Sequence, residues 1–368
     1  MPSDLTHLRP WLVHDWLTGM RGGEKVLLRL VEFMPQARIA TLVHVPGTTH
    51  PEIDKRVAAV SFLNRLPGAA TGYRNYLPLF PRAIQSLRLD PDCDLVISVS
   101  HAVAKGVRVP PGKKQICYCC TPMRYIWGFE DHYLSRWSPK RAALAMVKPM
   151  LRRFDRQNDC VTQFIAVSHN VAERIKRIYN RDSRVIFPAA DVDYYQPNGK
   201  PPEDFYLAVS ALVGYKRIDL AVQAFRQNGR KLVVIGGGPE LPALKALAAD
   251  APNIHFLGRQ PDDVLLDHYQ RCRAFVFPGE EDFGITPVEA QACGRPVIAY
   301  GRGGALETVV QPTTGVLFNA QSPASLTAAV ERFEQLSFDA NSIRNNALRF
   351  TWAQFDSQFV QAVNQILA

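Results

Sequence analysis

A chain of 368 residues exceeds the usual span of one hydrophobic core, so two domains of about 150–200 residues are expected. The composition, 47% hydrophobic and 21% charged, is that of a globular protein, and no uncharged apolar run reaches the 18 residues a membrane-spanning helix needs. The net charge of +9 is uneven, +12 over residues 1–200 and −3 over 201–368, which gives the first half a surface suited to anionic lipid, a lipid diphosphate or nucleic acid.

The first residues lack the basic-then-apolar design of a signal peptide, so a cytoplasmic protein is expected. Seven cysteines, an odd number, do not suggest a disulfide framework. Cys117, Cys119 and Cys120 have no second cluster to complete a zinc site and read as reduced thiols on a buried strand.

In chain order, Trp11–Val13 predicts a strand, and Gly19-Met20-Arg21-Gly22-Gly23 a turn opening a helix from about Gly23. Strands follow at Ile39–His44, Leu95–Val99, Gln115–Cys119 and Phe164–Val167, then a helix at 169–179. Phe62–Arg88 mixes aromatics and arginines with Pro67, Pro78 and Pro81, and reads as a mobile, partly exposed segment on the acceptor side. Residues 140–156 carry Lys140, Arg141, Lys148, Arg152, Arg153 and Arg156, with Leu144, Val147, Leu151 and Phe154 at helical spacing. Such a basic amphipathic stretch fits a membrane surface and a core-facing helix equally well, with Pro149 expected to kink it or start a new helix. Asp90, Asp92, Asp94, Asp191 and Asp193 form Asp-x-Asp patterns, but their setting before a strand and in a connection reads as turns.

The domain boundaries expected are 1–187, a connection over 188–203, 204–350, and a terminal helix over 351–368 packing back on the first domain. The second half restarts the alternation of strand and helix. Strands are predicted at Phe205–Val209, Lys231–Ile235, Ile254–Leu257, Ala274–Phe277 and Pro296–Tyr300, and helices at 217–228, 262–271, from Pro287, and near 323–336, 342–349 and 352–366. Lys216 and Arg217 place two cations at a helix start, against the helix dipole, so a compensating anion such as a diphosphate is expected. Thr286-Pro287-Val288-Glu289 has the form of a helix entry, a hydroxyl cap with Pro in the first turn and Glu three residues on. Glu281 lies on the preceding loop. The arrangement fits a sugar–diphosphate–nucleoside, with the phosphate at the helix start and a carboxylate on either side.

The segment from Phe275 to Gly304 closely resembles the nucleotide-sugar site of family 4 retaining glycosyltransferases, whose two glutamates are separated by seven residues. The resemblance extends over nearly the whole chain. His14–Lys25, Ser100–Gly106, Thr121–Tyr125 and Tyr215–Val222 look like the bacterial branch that builds O-antigens and exopolysaccharides, many of whose members use GDP-mannose. It implies the α/β GT-B fold, two doubly wound Rossmann-like domains facing a central cleft, and metal-free, cofactor-free mannosyl transfer to a lipid-linked glycan. In that reading Glu281 contacts sugar hydroxyls and Glu289 the ribose. Gly22, Gly23, Gly237, Phe283, Gly284, Ile285 and Thr286 line the donor, Lys216 and Arg217 hold the diphosphate, and Arg21, Cys120, Arg124 and Tyr125 lie on the acceptor side.

Two departures stand out. Ala211 replaces an arginine many relatives carry, which shifts the phosphate load onto Lys216 and Arg217, and Cys120 stands where many have histidine. Either His101 takes over that histidine's sugar contact, the reading preferred, or the activity is weakened or altered. Three rivals remain. The same fold could use a UDP-sugar. A basic nucleic-acid binder lacks a recognition module, and a dinucleotide oxidoreductase lacks the Gly-x-Gly-x-x-Gly turn with its acidic partner.

Overall fold

The computed structural model describes residues 5–128 and 139–368. They divide into two units, Met1–Phe187 with Asp356–Ala368, and Pro188–Phe355. Residues 188–203 therefore fall within the second unit rather than between the two.

Among the described residues of the first unit, seven parallel strands pair in the order β3-β2-β1-β4-β5-β6-β7. They are β1 Trp11–His14, β2 Arg38–Thr41, β3 Val57–Val60, β4 Val96–Ser100, β5 Gln115–Cys119, β6 Gln163–Ala166 and β7 Ser183–Val185. The central strands β1, β4 and β5 are buried at every position, as expected where both sheet faces are covered. The helix Gly22–Phe33 buries Val26, Leu27, Leu30 and Val31, the helical period of an apolar stripe. Edge strands β3 and β7 are absent from the sequence reading: β3, Val-Ala-Ala-Val, is apolar but only four residues long, and β7 carries no apolar run. The first alternates half-buried and exposed positions, and the second is a half-buried Ser-Arg-Val. The strand expected at Ile39–His44 stops at Thr41.

Phe62–Arg88 is partly exposed, as expected, and it also contributes to the core. The segment forms short helical pieces, Phe62–Arg65, Ala69–Gly72, Tyr73–Leu79 and Phe80–Ser86, whose Leu63, Tyr73, Phe80, Ala83 and Ile84 enter the core. Pro67 falls between two pieces and Pro81 in the first turn of Phe80–Ser86, where a missing N–H costs little, while Pro78 lies within the short turn Tyr73–Leu79.

The helix Pro139–Arg156 runs through Pro149 without ending, so no new helix starts there. Pro149 and Ala145 are both exposed, so the carbonyl left without its N–H partner can meet water. Leu144 and Val147 pack against the core and Leu151 and Phe154 enter it, while Ala142, Ala143, Ala145, Met146 and Met150 face outward. The side chain of Lys140 lies outside the described residues. In the last turn Asp155 is fully buried. It accepts from Lys105 Nζ at 2.8 Å, Trp127 Nε1 at 2.6 Å and the Tyr179 hydroxyl at 2.9 Å.

The second unit has six parallel strands among its described residues, ordered β10-β9-β8-β11-β12-β13. They are β8 Tyr206–Val209, β9 Leu232–Ile235, β10 Ile254–Gly258, β11 Ala274–Phe277, β12 Val297–Tyr300 and β13 Gly315–Phe318, the last unanticipated. Phe225, Val234, Val276, Ile298 and Val330 belong to one core beneath the helices Ile218–Asn228 and Pro323–Glu334.

The last helix, Trp352–Leu367, starts in the second unit, and its residues from Asp356 cluster with the first. There Arg29 Nε donates to Asp356 Oδ1 at 3.1 Å, and Phe359 meets the Tyr118 ring at 6.4 Å. Among the described residues no helix is long and apolar enough to cross a membrane.

Candidate functional site

Each sheet reverses its strand order once, between β1 and β4 in the first unit and between β8 and β11 in the second. Open parallel sheets bind ligands beyond the carboxyl ends of their strands at such a reversal. The residues singled out in the sequence gather at these two places.

In the second unit β8 leads into the turn carrying Lys216 and Arg217, and β11 into the loop carrying Glu281. The Lys216 ammonium and the Glu281 carboxylate form a direct ion pair, with side chains only 16% and 17% exposed. The Glu281 carbonyl accepts from Gly304 N at 2.8 Å. Gly304 is required for that approach, because a Cβ there would lie 2.2 Å from the Phe283 carbonyl oxygen. Arg217 caps the helix Ile218–Asn228 from the left-handed region, at φ 53°. Its guanidinium grips both Asp219 oxygens, at 3.0 and 3.1 Å, and reaches Gln321 at 3.4 Å. Asp219 and Glu281 are the protein counter-charges of these two cations.

The helix entry also differs from expectation. The helix is Ile285–Ala292, and its N-cap is Gly284 at φ 87°, a conformation glycine adopts without strain. Thr286 is therefore inside the first turn, and Pro287 at the third position is tolerated because N–H groups there have no partner within the helix. Glu289 falls two residues further in than a capping box requires. It is buried, and one carboxylate oxygen accepts from the Tyr269 hydroxyl at 3.0 Å. Tyr269 was missed, and no local spacing signals it, since it lies on another helix twenty residues upstream. Ile285 and Thr286 are half-buried beside the Gly284 cap. Phe283 is buried, its ring edge-on to Phe350 at 5.3 Å. The Gly237 carbonyl accepts from Leu212 N at 3.0 Å, which fastens the glycine turn onto the loop after β8.

In the first unit the β1/β4 reversal is organised by Asp15, which the sequence reading passed over. Its fully buried carboxylate accepts from four consecutive backbone amides, His101, Ala102, Val103 and Ala104, at 2.7, 2.9, 2.6 and 2.8 Å. His101 stands edge-on to Trp16 at 4.4 Å. Burial, then Arg74 and Arg21, pushes its pKa down to about 3, so the imidazole is neutral at pH 7. His14, likewise missed, is fully buried and pushed to about 3, mainly by burial. Its Nδ1 faces the Trp16 carbonyl at 2.9 Å and must donate there, which leaves Nε2 without a partner. Gly23 lies against that nitrogen.

Arg21 caps the helix Gly22–Phe33, its backbone N–H donating to Glu24 at 3.1 Å, and burial pushes the Glu24 carboxyl up to about 7. Arg21 and Gly22 are exposed at the helix mouth. Cys120 N donates to the Ser100 carbonyl at 2.8 Å, holding that thiol beside the His101 loop. Arg74, from the 62–88 segment, donates to the Tyr125 hydroxyl at 3.3 Å, and Arg124 is half-buried next to it in sequence. The aspartate pairs serve turns. Asp90 binds Arg38 and the Asp92 amide, Asp94 binds the Arg9 amide, and Asp191 binds the Tyr194 amide.

Residues 194–350 match the family model described as "Glycosyl transferases group 1". A GDP-mannose-dependent alpha-mannosyltransferase of Mycolicibacterium smegmatis is 27% identical over 93% of this chain and 92% of its own length. A GDP-mannose-dependent alpha-(1-6)-phosphatidylinositol monomannoside mannosyltransferase of the same organism is 28% identical over 51% of this chain. The match spans only about half of that relative's length, 56%. Among solved structures, the Anabaena protein HepE in complex with UDP superposes with a TM-score of 0.71 at 16% identity, over 97% of this chain and all of that one. That likeness carries the fold, GT-B.

Proposed function

We propose that this chain, which belongs to the family 4 glycosyltransferases, transfers mannose from GDP-mannose to a lipid-linked glycan with retained configuration and without a metal ion. The observation that carries this reading is the Lys216–Glu281 pair at the β8/β11 reversal, beside the start of the helix Ile285–Ala292. Breaking the bond between the anomeric carbon and the donor oxygen leaves charge on the departing diphosphate and an oxocarbenium-like sugar. Lys216, Arg217 and the helix N-terminus supply fixed positive potential to the first. Glu281 holds sugar hydroxyls, Glu289, steadied by Tyr269, takes the ribose, and His101 supplies the further sugar contact. The acceptor oxygen attacks the same face and gives its proton to a phosphate oxygen of the leaving group. The expected result is turnover of GDP-mannose in excess EDTA with the anomeric configuration kept. Loss of activity on chelation, restored by Mg²⁺ or Mn²⁺, would refute the metal-free reading. UDP-glucose belongs in the same assay, because the similarity to a UDP-bound structure favours a UDP-sugar as the second reading.

The acceptor side of the reading places the protein at the inner face of a membrane. Its support is the outward face of the helix Pro139–Arg156, where Met146 is 77% exposed and Met150 47%, bordered by Arg153 and Arg156. Binding to anionic vesicles should weaken as salt shortens the Debye length. Gln at Arg153 and Arg156 should reduce it several-fold and leave donor hydrolysis intact. Binding indifferent to salt and to both substitutions would remove this surface from the proposal.

A further inference from the structure

The loop after β4 carries the histidine assigned above to a substrate sugar, and its geometry is imposed from β1. Asp15 does more than tether that loop. Besides its four backbone bonds, its Oδ2 lies 3.3 Å from Nδ1 of His101. At that length it is a close approach rather than an aligned hydrogen bond, and catalytic contacts often tighten only when substrate binds. The ring is further located by the edge of Trp16. Among the described residues no hydrogen bond engages Nε2 of His101, and its side chain is 25% exposed while Asp15 is wholly enclosed.

We propose that Asp15 is a positioning residue that sets the tautomer of His101, holding the hydrogen on Nδ1 and presenting Nε2 as an acceptor to a sugar hydroxyl. A carboxylate oxygen can only accept, so the ring nitrogen facing it carries the hydrogen. The other nitrogen then offers a lone pair. A hydroxyl donating to it keeps more electron density on its own oxygen, which favours the electron-poor sugar that forms as the donor bond breaks. The other charged or titratable groups around the ring are His14, Arg21 and Arg74. None of the three offers Nδ1 a carboxylate.

This inference rests on the reading of His101 as a sugar contact, and two measurements keep the two separable. The first is the nitrogen spectrum of the ¹⁵N-histidine-labelled full chain at pH 7, with the His101 signals identified by their loss in His101→Ala. It should show the hydrogen on Nδ1, and in Asp15→Asn the population should move toward Nε2. A wild-type ring with its hydrogen on Nε2, or a tautomer unmoved in a folded Asp15→Asn, overturns the proposal whatever the donor. The second is a double-mutant cycle on GDP-mannose hydrolysis. Asp15→Asn should lower kcat about tenfold, the worth of roughly one hydrogen bond, with a smaller change in KM. Adding it to His101→Ala should cost nothing further. Full additivity in kcat would make Asp15 a tether only. Should Asp15→Asn fail to fold, the wild-type spectrum decides alone. Should GDP-mannose prove not to be a donor, the function reading falls and the spectrum still decides the tautomer.

Discussion

Replacing Lys216 by alanine is expected to lower kcat for donor turnover about 100- to 1,000-fold, the usual cost of removing one preorganised group that stabilises developing charge. The argument is local. Lys216 follows β8, its ammonium is held against Glu281, and neither side chain is free to drift into solvent. In the proposed reaction a diphosphate arriving there meets a cation already positioned, so little reorganisation is spent at the moment the bond breaks. Removing the ammonium also leaves the Glu281 carboxylate facing the diphosphate with no intervening positive charge. Arg217→Ala should cost less, about tenfold, because its guanidinium is already committed to Asp219 and Gln321. The test is steady-state kinetics on both variants alongside thermal melts. A folded Lys216→Ala with unaltered kcat would remove the ion pair from the reaction.

Lys105→Ala is expected to cost about 3–5 kcal/mol of folding stability, the range for stripping one partner from a buried ion pair. Lys105 and Asp155 are both enclosed, and the ammonium also binds the Asp155 carbonyl at 2.7 Å and lies 4.8 Å from the Tyr179 ring centre. Alanine would leave a buried carboxylate supported only by the donors of Trp127 and Tyr179. Chemical denaturation of wild type and variant measures the difference. A loss below about 1 kcal/mol would mean that water reaches Asp155 and that the pair is not sealed. The pair joins the end of the helix Pro139–Arg156 to the short 3₁₀ turn Ala104–Gly106, directly after the amides held by Asp15. A destabilised variant should therefore also loosen the His101 loop.

The strands with unbroken apolar runs were legible in the sequence: Gln115–Cys119 and Ala274–Phe277 coincide with β5 and β11, and the helices 169–179 and 262–271 match to the residue. Burial on both faces writes itself into composition. Strand β7, Ser-Arg-Val, left no such trace, the short apolar runs of β3 and β13 were passed over, and the prolines and arginines of 62–88 hide a core-facing side. The helix entry at Thr286 was misread because its true cap, Gly284, acts through backbone conformation rather than a side chain.

By itself the sequence determined the fold class and singled out the ionisable residues proposed to hold the donor, because repeated strand–helix alternation and two glutamates beside a helix start are properties of the chain in order. What tertiary structure alone decided is which groups meet. Asp15 with the amides of 101–104, Lys216 with Glu281, and Tyr269 with Glu289 are pairs brought together from distant positions. The first two exist only once parallel strands far apart in sequence lie side by side, and the third only once two helices pack, so no local periodicity or spacing encodes them.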